Sequence, residues 1–382
     1  MASSSFALLI AALSDGEKRS SFPQSGERSR EVRSPSPRLL PMNQALLIDL
    51  TGRQTPWPTV AVDLWRTCLG RASGEDEYWT HTPPRQGDPL LRTVLGKRLS
   101  LDPEHLVITA GVRSTAIPLG RASADAVVEQ PTFVAIPRIL RGMGARVIYA
   151  DWEQIASIPR DGKRPRAIWI TSPARNPDGA SISAALAVTL AQCAHAGDLV
   201  VQNEVYRWYA PRAARIKGAF LVGSMSKIAG SGTRLGWVWH PAFSQIAETE
   251  MIALSPPGPW QRAWAYFIEQ GGLDLLMHPV IRSAVLAKEA FLTAISDCGR
   301  RFTVPVSEGP SLILHLERTR SEETLAGRLR EAGLLVGLGR HFHVPTPAIR
   351  LCFTGISTDE AVLAAARLYE TSPELVINPV AC

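Results

Sequence analysis

Cysteine is scarce and unpaired in this sequence. Cys68, Cys193, Cys298, Cys352 and Cys382 are spread over 382 positions without a Cys-x-x-Cys. An odd, scattered set excludes a disulfide framework and a structural zinc module, and it fits a reducing cytoplasm. No cluster has metal-ligand spacing, so no metal is expected. An apolar run able to cross a bilayer is also missing. Phe6–Leu13 is too short to span, and no basic stretch precedes it, so neither a membrane segment nor a secretory signal is expected. No internal repeat is visible, which excludes a solenoid. A basic face is lacking too. The formal net charge is +6, but Lys18, Arg19, Arg28, Arg30, Arg33 and Arg38 supply much of it from the N-terminal tail. No nucleic-acid partner is expected from a tail of that kind.

What is present is an ordinary globular composition, 45% hydrophobic and 20% charged, with ample material for a core. The length suits one large domain and a smaller one. Ser, Arg and Pro dominate residues 14–41, and no apolar period appears there, so 1–41 reads as a disordered extension. Met42 opens the first ordered-looking stretch, and translation can start at Met1 or at Met42. The expected division is an N-terminal arm and large domain over 42–280, followed by a small α/β domain over 281–382.

Short β-type runs alternate with helical segments through the large domain. The expected strands are Leu106–Thr109, Ala126–Glu129, Arg146–Tyr149, Ala167–Thr171, Leu199–Gln202, Ala219–Gly223 and Leu235–Trp239. Helices are expected at 112–120, 132–143 and 182–196. Continuous apolar strands between helices imply an α/β fold with a mostly parallel sheet covered on both faces. A long helical region over 258–297 is broken near Gly271-Gly272 and Pro279. Beyond it, Phe302–Val306, Leu312–Leu316, Leu334–Val336 and Ile349–Phe353 read as strands, and 321–332 and 358–370 as helices.

Open parallel sheets bind ligands beyond the C-terminal ends of their strands. The loops at those ends are unusual. Gly111-Val112-Arg113 opens a helix, where free N–H groups and the helix dipole suit an anion; taken alone, a plain strand-to-helix turn is the commoner reading. Gln130-Pro131-Thr132-Phe133 offers an aromatic ring to a ligand or to the core. Asn176-Pro177-Asp178-Gly179 is a turn whose Asn176 is free to do more. Asn203 and Tyr206 leave one strand end together. The segment Gly223–Trp237 puts Ser224, Ser226, Lys227 and Arg234 within eleven residues of broken, glycine-rich backbone. Such a set suits a lysine Schiff base to pyridoxal phosphate, with hydroxyls and an arginine on the phosphate. A generic anion-binding loop has the same ingredients.

In this order the loops resemble those of the fold-type I pyridoxal phosphate enzymes of the aminotransferase class I/II superfamily, collinearly from about 48 to 370. Glu129-Gln130-Pro131-Thr132-Phe133 resembles the Glu-x-Pro-x-aromatic segment. Ser172–Gly179 resembles the Ser-Pro-x-Asn-Pro-x-Gly loop with one residue inserted. Asn203-Glu204-Val205-Tyr206 stands where the family has Asp-Glu-x-Tyr. Ser224-Met225-Ser226-Lys227 with Arg234 resembles the Schiff-base loop, and Ala348-Ile349-Arg350-Leu351 the late strand that carries the substrate arginine. The Asn-Pro-Asp-Gly wording and Tyr206–Pro211 look closest to the alliinase and tryptophan-aminotransferase-related branch.

The resemblance implies a large mostly parallel sheet domain with a smaller C-terminal α/β domain, and pyridoxal 5'-phosphate as cofactor. It implies Lys227 as the covalent anchor and proton carrier, and Tyr206 as a catalytic partner. Gly111, Val112, Arg113, Ser224, Ser226 and Arg234 would hold the phosphate; Phe133 would stack on the ring; Asn176 and Tyr206 would bond its phenolic oxygen. Asn203 would meet its nitrogen. Gly52, Asn176 and Arg350 would take the amino-acid substrate. A homodimer with shared sites is implied, with Tyr78 reaching across the interface.

Asn203 departs from the family's aspartate. An amide cannot balance a protonated pyridine, and losing that ion pair costs on the order of several kcal/mol in carbanion stability. Transamination then either proceeds more slowly or gives way to other chemistry at the α-carbon, such as carbon–sulfur β-elimination. The expected activity is an aminotransferase, with the lyase as alternative and a non-catalytic cofactor-binding sensor as the remote one. The Lys227-to-Arg234 spacing is one residue shorter than the usual family loop. Arg175, Arg113 and Arg207 are expected to add positive charge near the mouth of the site. Trp79, Trp208 and Tyr209 are candidates to select a bulky substrate.

Overall fold

The computed structural model describes residues 47–75, 77–160, 164–297 and 307–372. The expected disordered extension 1–41, Met42 and the expected strand Phe302–Val306 lie outside the described residues. The described residues belong to one compact unit.

A two-residue strand, β1 (Ile48–Asp49), comes first. The seven β-type runs between 106 and 239 then form one sheet from β2 (Leu106–Thr109), β3 (Asp125–Glu129), β4 (Arg146–Ala150), β5 (Arg166–Thr171), β6 (Leu199–Asn203), β7 (Phe220–Ser224) and β8 (Gly236–Trp239). Its order is β2-β8-β7-β6-β5-β3-β4. Neighbours from β4 to β7 are parallel. β8 alone runs against the rest, antiparallel to both β2 and β7. Its loop explains the reversal: the segment 225–235 is too short for the helical crossover that a parallel return needs.

The helices of eight residues or more are α1 (Thr59–Ser73), α2 (Pro89–Leu99), α3 (Val112–Ala122), α4 (Ala135–Gly142), α5 (Ala184–His195), α6 (Gly258–Glu269), α7 (Ser283–Asp297), α8 (Glu322–Glu331) and α9 (Thr358–Thr371). Successive strand residues point to opposite faces, and both faces are apolar. Ala126, Val128, Ala167, Trp169 and Val201 pack with Leu119 of α3 and Leu140 of α4. Val127, Ile168, Ile170 and Val200 pack with Ala187 and Leu190 of α5. This is why the strands read as continuous apolar runs rather than as alternating ones.

Aromatics are only 7% of the chain, but they are concentrated. Trp57, Trp65, Trp264 and Phe267 form edge-on, tilted and stacked pairs with centroids 4.7–6.0 Å apart. Each such pair is worth about 0.5–1.5 kcal/mol beyond its buried area. The helical stretch after α6 breaks as the sequence implies. Gly271 takes a left-handed φ of 79°, and at Pro279, which has no N–H, the ladder widens to a π turn over His278–Arg282 before α7.

The C-terminal strands β9 (Ser311–His315), β10 (Leu334–Leu335), β11 (Gly337–Leu338) and β12 (Ala348–Cys352) divide between two sheets. β11, β12 and β9 form one antiparallel sheet in that order, and β10 pairs with β1 in parallel. Ile48 and Leu50 are buried with Leu312, Leu334, Leu351 and Phe353. The N-terminal arm therefore shares a core with the C-terminal elements, which long-range pairing allows and a contiguous reading of the sequence hides. α9 starts at a capping box, Ser357 with Glu360. Among the described residues no helix is long and apolar enough to cross a membrane.

Candidate active site

The strand register aligns the polar residues at one edge of the sheet. Thr171 lies beside Asn203, and Asn203 beside Val222. Thr109 and Ser224 both face Gly236. Beyond this edge the loops enclose a cavity of about 190 Å³. Gly111, Val112 and Arg113 line it from the start of α3, Phe133 from the loop after β3, and Asn176 from the loop after β5. Asn203 and Tyr206 line it from the end of β6, and Ser224, Ser226, Lys227 and Arg234 from the loop between β7 and β8.

A second cavity of about 200 Å³ shares Phe133, Asn176, Tyr206, Ser226 and Lys227, and adds Gly52 and Arg350. The residues expected to hold the cofactor or the substrate carboxylate therefore line one or both cavities, whereas Tyr78, expected across a dimer interface, does not. That residue lies in a short helix, Glu77–Thr80, and its side chain is outside the described ones. A larger cavity, about 540 Å³, lies around Gln130, Trp152, Arg175 and His315. It contains neither the lysine nor the hydroxyls, so size does not mark the chemistry here.

Local chemistry explains the shape of the first cavity. Gly111 has a φ of 113° and no side chain to cap α3, so the first N–H groups of the helix are left for a ligand. The lysine loop is held from outside by two indoles: Trp57 Nε1 donates to Ala229 O at 2.9 Å and Trp260 Nε1 to Thr233 O at 2.8 Å. Ser224 Oγ donates to Leu235 O and accepts from Ser226 N. Its one proton thus shapes the loop, and Ser226 keeps the free hydroxyl. Lys227 Nζ lies 5.1 Å from the centroid of the Tyr206 ring.

Asn203 is fixed by its neighbours. Its Oδ1 accepts the Val205 backbone N–H at 3.3 Å, and its Nδ2 donates to Thr171 Oγ1 at 3.3 Å. A backbone N–H can only donate, so the oxygen must face Val205 and the amino group must face Thr171. The second Nδ2 hydrogen is left to donate. Behind Thr171 lies Glu129, fully buried, whose carboxylate accepts Thr171 N at 2.7 Å and Trp152 Nε1 at 2.8 Å. Burial pushes this carboxyl up to about 7, against the opposing pull of Arg175 and of hydrogen bonds from Thr171 and Trp152.

In the second cavity, Arg350 is buried. Nη1 donates to Thr51 O at 2.9 Å and Nη2 to Ser311 Oγ at 2.8 Å. The Phe342 ring centroid lies 5.2 Å from the guanidinium. Arg350 Nε, like Asn176 Oδ1 and Thr55 Oγ1, is buried without a partner among the described residues. Orphaned polar atoms that line a cavity mark ligand contacts, because each is costly to leave unmade. Gly52 reaches a φ of 110°, and a Cβ there would lie 3.3 Å from Cys352 Sγ. Burial pushes the Cys352 thiol up, but Arg350 and hydrogen bonds from Thr354 and Ser311 outweigh it and bring it below its ordinary range.

Some expectations need correction. Arg175 does not charge the mouth. It is buried, pairs with Asp178 at 3.0 Å through Nε and stacks on Trp152 at 4.0 Å. Arg207 is likewise buried, paired with Glu204 and bonded to Pro211 O and Ala213 O. Both guanidiniums are consumed by neighbouring groups, which sequence position cannot reveal. Arg113 does line the first cavity, 5.4 Å from the Phe133 ring. Trp79, Trp208 and Tyr209 line neither of the two cavities. Trp79 is 64% exposed and Trp208 is buried against Trp237. The sequence reading missed Thr171, Ser311, Phe342 and Cys352. Thr171 and Cys352 sit at the C-terminal ends of strands, which was the available signal; Ser311, at the start of β9, and Phe342 gave none.

Residues 58–368 match the protein family described as aminotransferase class I and II. Among solved structures, the chain is similar to the aspartate aminotransferase of Thermus thermophilus with maleate, at 20% identity and a TM-score of 0.69, covering 85% of this chain and 91% of that one. It is similar to an α-aminoadipate aminotransferase, also of Thermus thermophilus, at 19% identity and a TM-score of 0.70, covering 86% and 92%. The kynurenine aminotransferase of Pyrococcus horikoshii matches at 20% identity and a TM-score of 0.71, covering 87% and 92%. At these identities the likeness establishes the fold. No curated protein matches the chain in sequence.

Proposed function

The chain belongs to the aminotransferase class I and II family, and on that premise we propose that it is a pyridoxal phosphate enzyme that transfers the amino group of an amino acid. One observation carries the reading: the lysine loop, the glycine-led helix start and the Asn203–Tyr206 strand end converge on one cavity, which adjoins the cavity of a buried arginine. The donor set fits the cofactor. A phosphate suits uncapped helix N–H groups with Ser226 and Arg234. An aromatic ring suits Phe133, and a phenolic oxygen suits Tyr206 and Asn176.

Pyridoxal phosphate, when bound, supplies an aldehyde that condenses with amines and a ring that draws electrons from the substrate α-carbon. The protein supplies the rest. Among the described residues, Lys227 is the only lysine lining both cavities, and we assign its Nζ the covalent hold on the cofactor. The same amine would be the base placed to take and return the α-proton. Arg350 binds the substrate carboxylate through Nε and the remaining Nη hydrogens, while Thr51 and Ser311 keep its plane fixed. Asn203 presents a donor, and a donor pairs with an unprotonated ring nitrogen, so the ring draws electrons less strongly than opposite an aspartate. The proposal includes a homodimer acting in the cytoplasm.

The test is a visible absorption spectrum of the reconstituted protein with a panel of amino acids. A band from lysine-bound cofactor that is lost in Lys227→Ala, and that converts to the pyridoxamine form with one amino acid, is the expected result. Pyruvate or ammonia released without a keto-acid acceptor would assign a lyase instead. Absence of any cofactor band would overturn the reading.

A further inference from the structure

The lysine loop is fastened at two carbonyls, and each fastening sits beside one of its functional side chains. Trp57, from the N-terminal arm, donates its Nε1–H to Ala229 O at 2.9 Å, just beyond Lys227. Trp260, in the first turn of α6, donates to Thr233 O at 2.8 Å, directly before Arg234. In both cases the peptide held leads into a left-handed residue. Gly230 has a φ of 94° and Arg234 a φ of 45°. Glycine adopts such a φ freely, whereas an arginine rarely does. Strained backbone of this kind persists only where its surroundings hold it. At Arg234 the hold is the Trp260 indole, because one peptide plane sets both the direction of Thr233 O and the φ of Arg234. The indoles are themselves seated firmly. Trp65 lies edge-on to both, with centroids 6.0 Å from Trp57 and 4.9 Å from Trp260. Trp264 packs in the same cluster, but its Nε1 is buried without a partner.

Resting on the pyridoxal phosphate reading, we infer that Trp260 is a positioning residue for phosphate binding: by holding the Thr233–Arg234 peptide, it keeps Arg234 in the left-handed turn that sets it at the cavity wall. Arg234 lines that cavity together with Ser226 and the glycine-led start of α3. With the indole N–H removed, Arg234 is free to relax to an ordinary negative φ, and its side chain then leaves the backbone in another direction. Trp57 does the corresponding work at the other end of the loop. Lys227 ends a 3-10 turn over Met225–Lys227, and Ala229 N closes onto Met225 O at 2.8 Å. Fixing Ala229 O therefore fixes the exit of the lysine turn. Neither Trp57 nor Trp260 lines either cavity, so both act through the loop. The covalent hold and the phosphate hold are thus separable by the choice of which indole is altered.

The experiment titrates the full-length apoprotein with pyridoxal phosphate and, separately, with pyridoxal, which has the same aldehyde and ring but no phosphate. The absorption band of the lysine-bound form reads binding. Trp260→Phe keeps a ring and loses the N–H; it should weaken pyridoxal phosphate binding by about tenfold and leave pyridoxal binding unchanged. Trp57→Phe should weaken both by the same factor. Trp264→Phe loses an unpaired N–H from the same cluster, so it should change neither and is the packing control. In an Arg234→Gln background, Trp260→Phe should cost nothing further, because the residue it positions is gone. This double variant keeps the inference testable if Trp260→Phe loosens the fold, since general loosening would add to the Arg234→Gln loss. Unchanged pyridoxal phosphate affinity in Trp260→Phe, equal loss of both ligands in it, a phosphate-specific loss in Trp264→Phe, or additive losses in the double variant would each overturn the inference while leaving the functional reading intact. A wild-type protein that takes up no cofactor overturns both, and is recognised by the missing absorption band.

Discussion

A Cβ built on Gly236 would lie 2.5 Å from the Cα of Gly111. The two glycines let β8 pass directly against the turn that opens α3, which is the phosphate end of the proposed site. The same Cβ would lie 2.7 Å from Gly223 O, so only backbone is available to move.

Gly236→Ala must therefore push the strand away from the helix start. A destabilisation of about 1–3 kcal/mol is expected from overpacking, together with cofactor affinity weaker by roughly tenfold, since about 1.4 kcal/mol of misplaced contacts suffices for that. Titration of the apoprotein with pyridoxal phosphate measures it. Gly232→Ala is the control: nothing lies within 4 Å of a Cβ there, and affinity should stay unchanged. Equal affinity in both variants would separate the Gly111–Gly236 contact from phosphate binding.

The sheet was legible because its strands are buried on both faces, so that apolar runs such as Arg166–Thr171 stand out, and because Gly111, Gly179 and Gly197 mark element ends with positive φ. The reversed direction of β8 follows from loop length alone. Partnership was not legible. Arg175 and Arg207 look like rim charges in sequence and are buried ion-pair members in space. Ser224 looks like a phosphate ligand, but its proton goes to Leu235 O. The link from Asn203 to Glu129 joins strands 74 residues apart (203 − 129) through a threonine that no motif marks. Hydrogen-bond direction is a property of the fold, and no residue pattern encodes it.

Asn203→Asp restores a carboxylate opposite the ring nitrogen. Asn203 is buried, so the new charge is poorly solvated and gains most by pairing with a protonated ring. Conversion of the cofactor to its pyridoxamine form by an amino-acid donor should speed up, on the order of tenfold for each 1.4 kcal/mol of added carbanion stabilisation. Stopped-flow absorption measures the half-reaction directly. An unchanged or slower half-reaction would show that the amide is not what limits amino transfer.

Lys288 donates to Ser307 O at 2.6 Å and to Gly309 O at 2.7 Å, with no carboxylate in bonding range among the described residues. Burial lowers its pKa from 10.5 to about 8, with Glu289 and Glu308 opposing. The folded protein then binds fewer protons than the unfolded chain between those two values, so this group makes stability rise with pH across that window. Lys288 is buried, and the gain is about 1–3 kcal/mol. Thermal melting of wild type against Lys288→Met across the alkaline range reads it. The pH-dependent rise should flatten in the variant, and a parallel pair of curves would contradict the assignment.

Lys288 holds the loop that leads to Ser311, and Ser311 in turn holds Arg350 Nη2. This hierarchy predicts graded kinetic effects. Arg350→Lys keeps the charge but loses the planar fork that meets a carboxylate with two bonds, and kcat/KM should fall by about 10²–10³ on the scale of a lost charge-assisted pair. Ser311→Ala leaves the fork present but free to swing, removing one hydrogen bond to a charged group, so a fall of about tenfold is expected. Both losses should appear mainly in KM, because the carboxylate is held in the bound substrate as well as during reaction. A kcat loss at constant KM in Ser311→Ala would instead place Ser311 in the chemical step, and Arg350 would need another partner to explain its orientation.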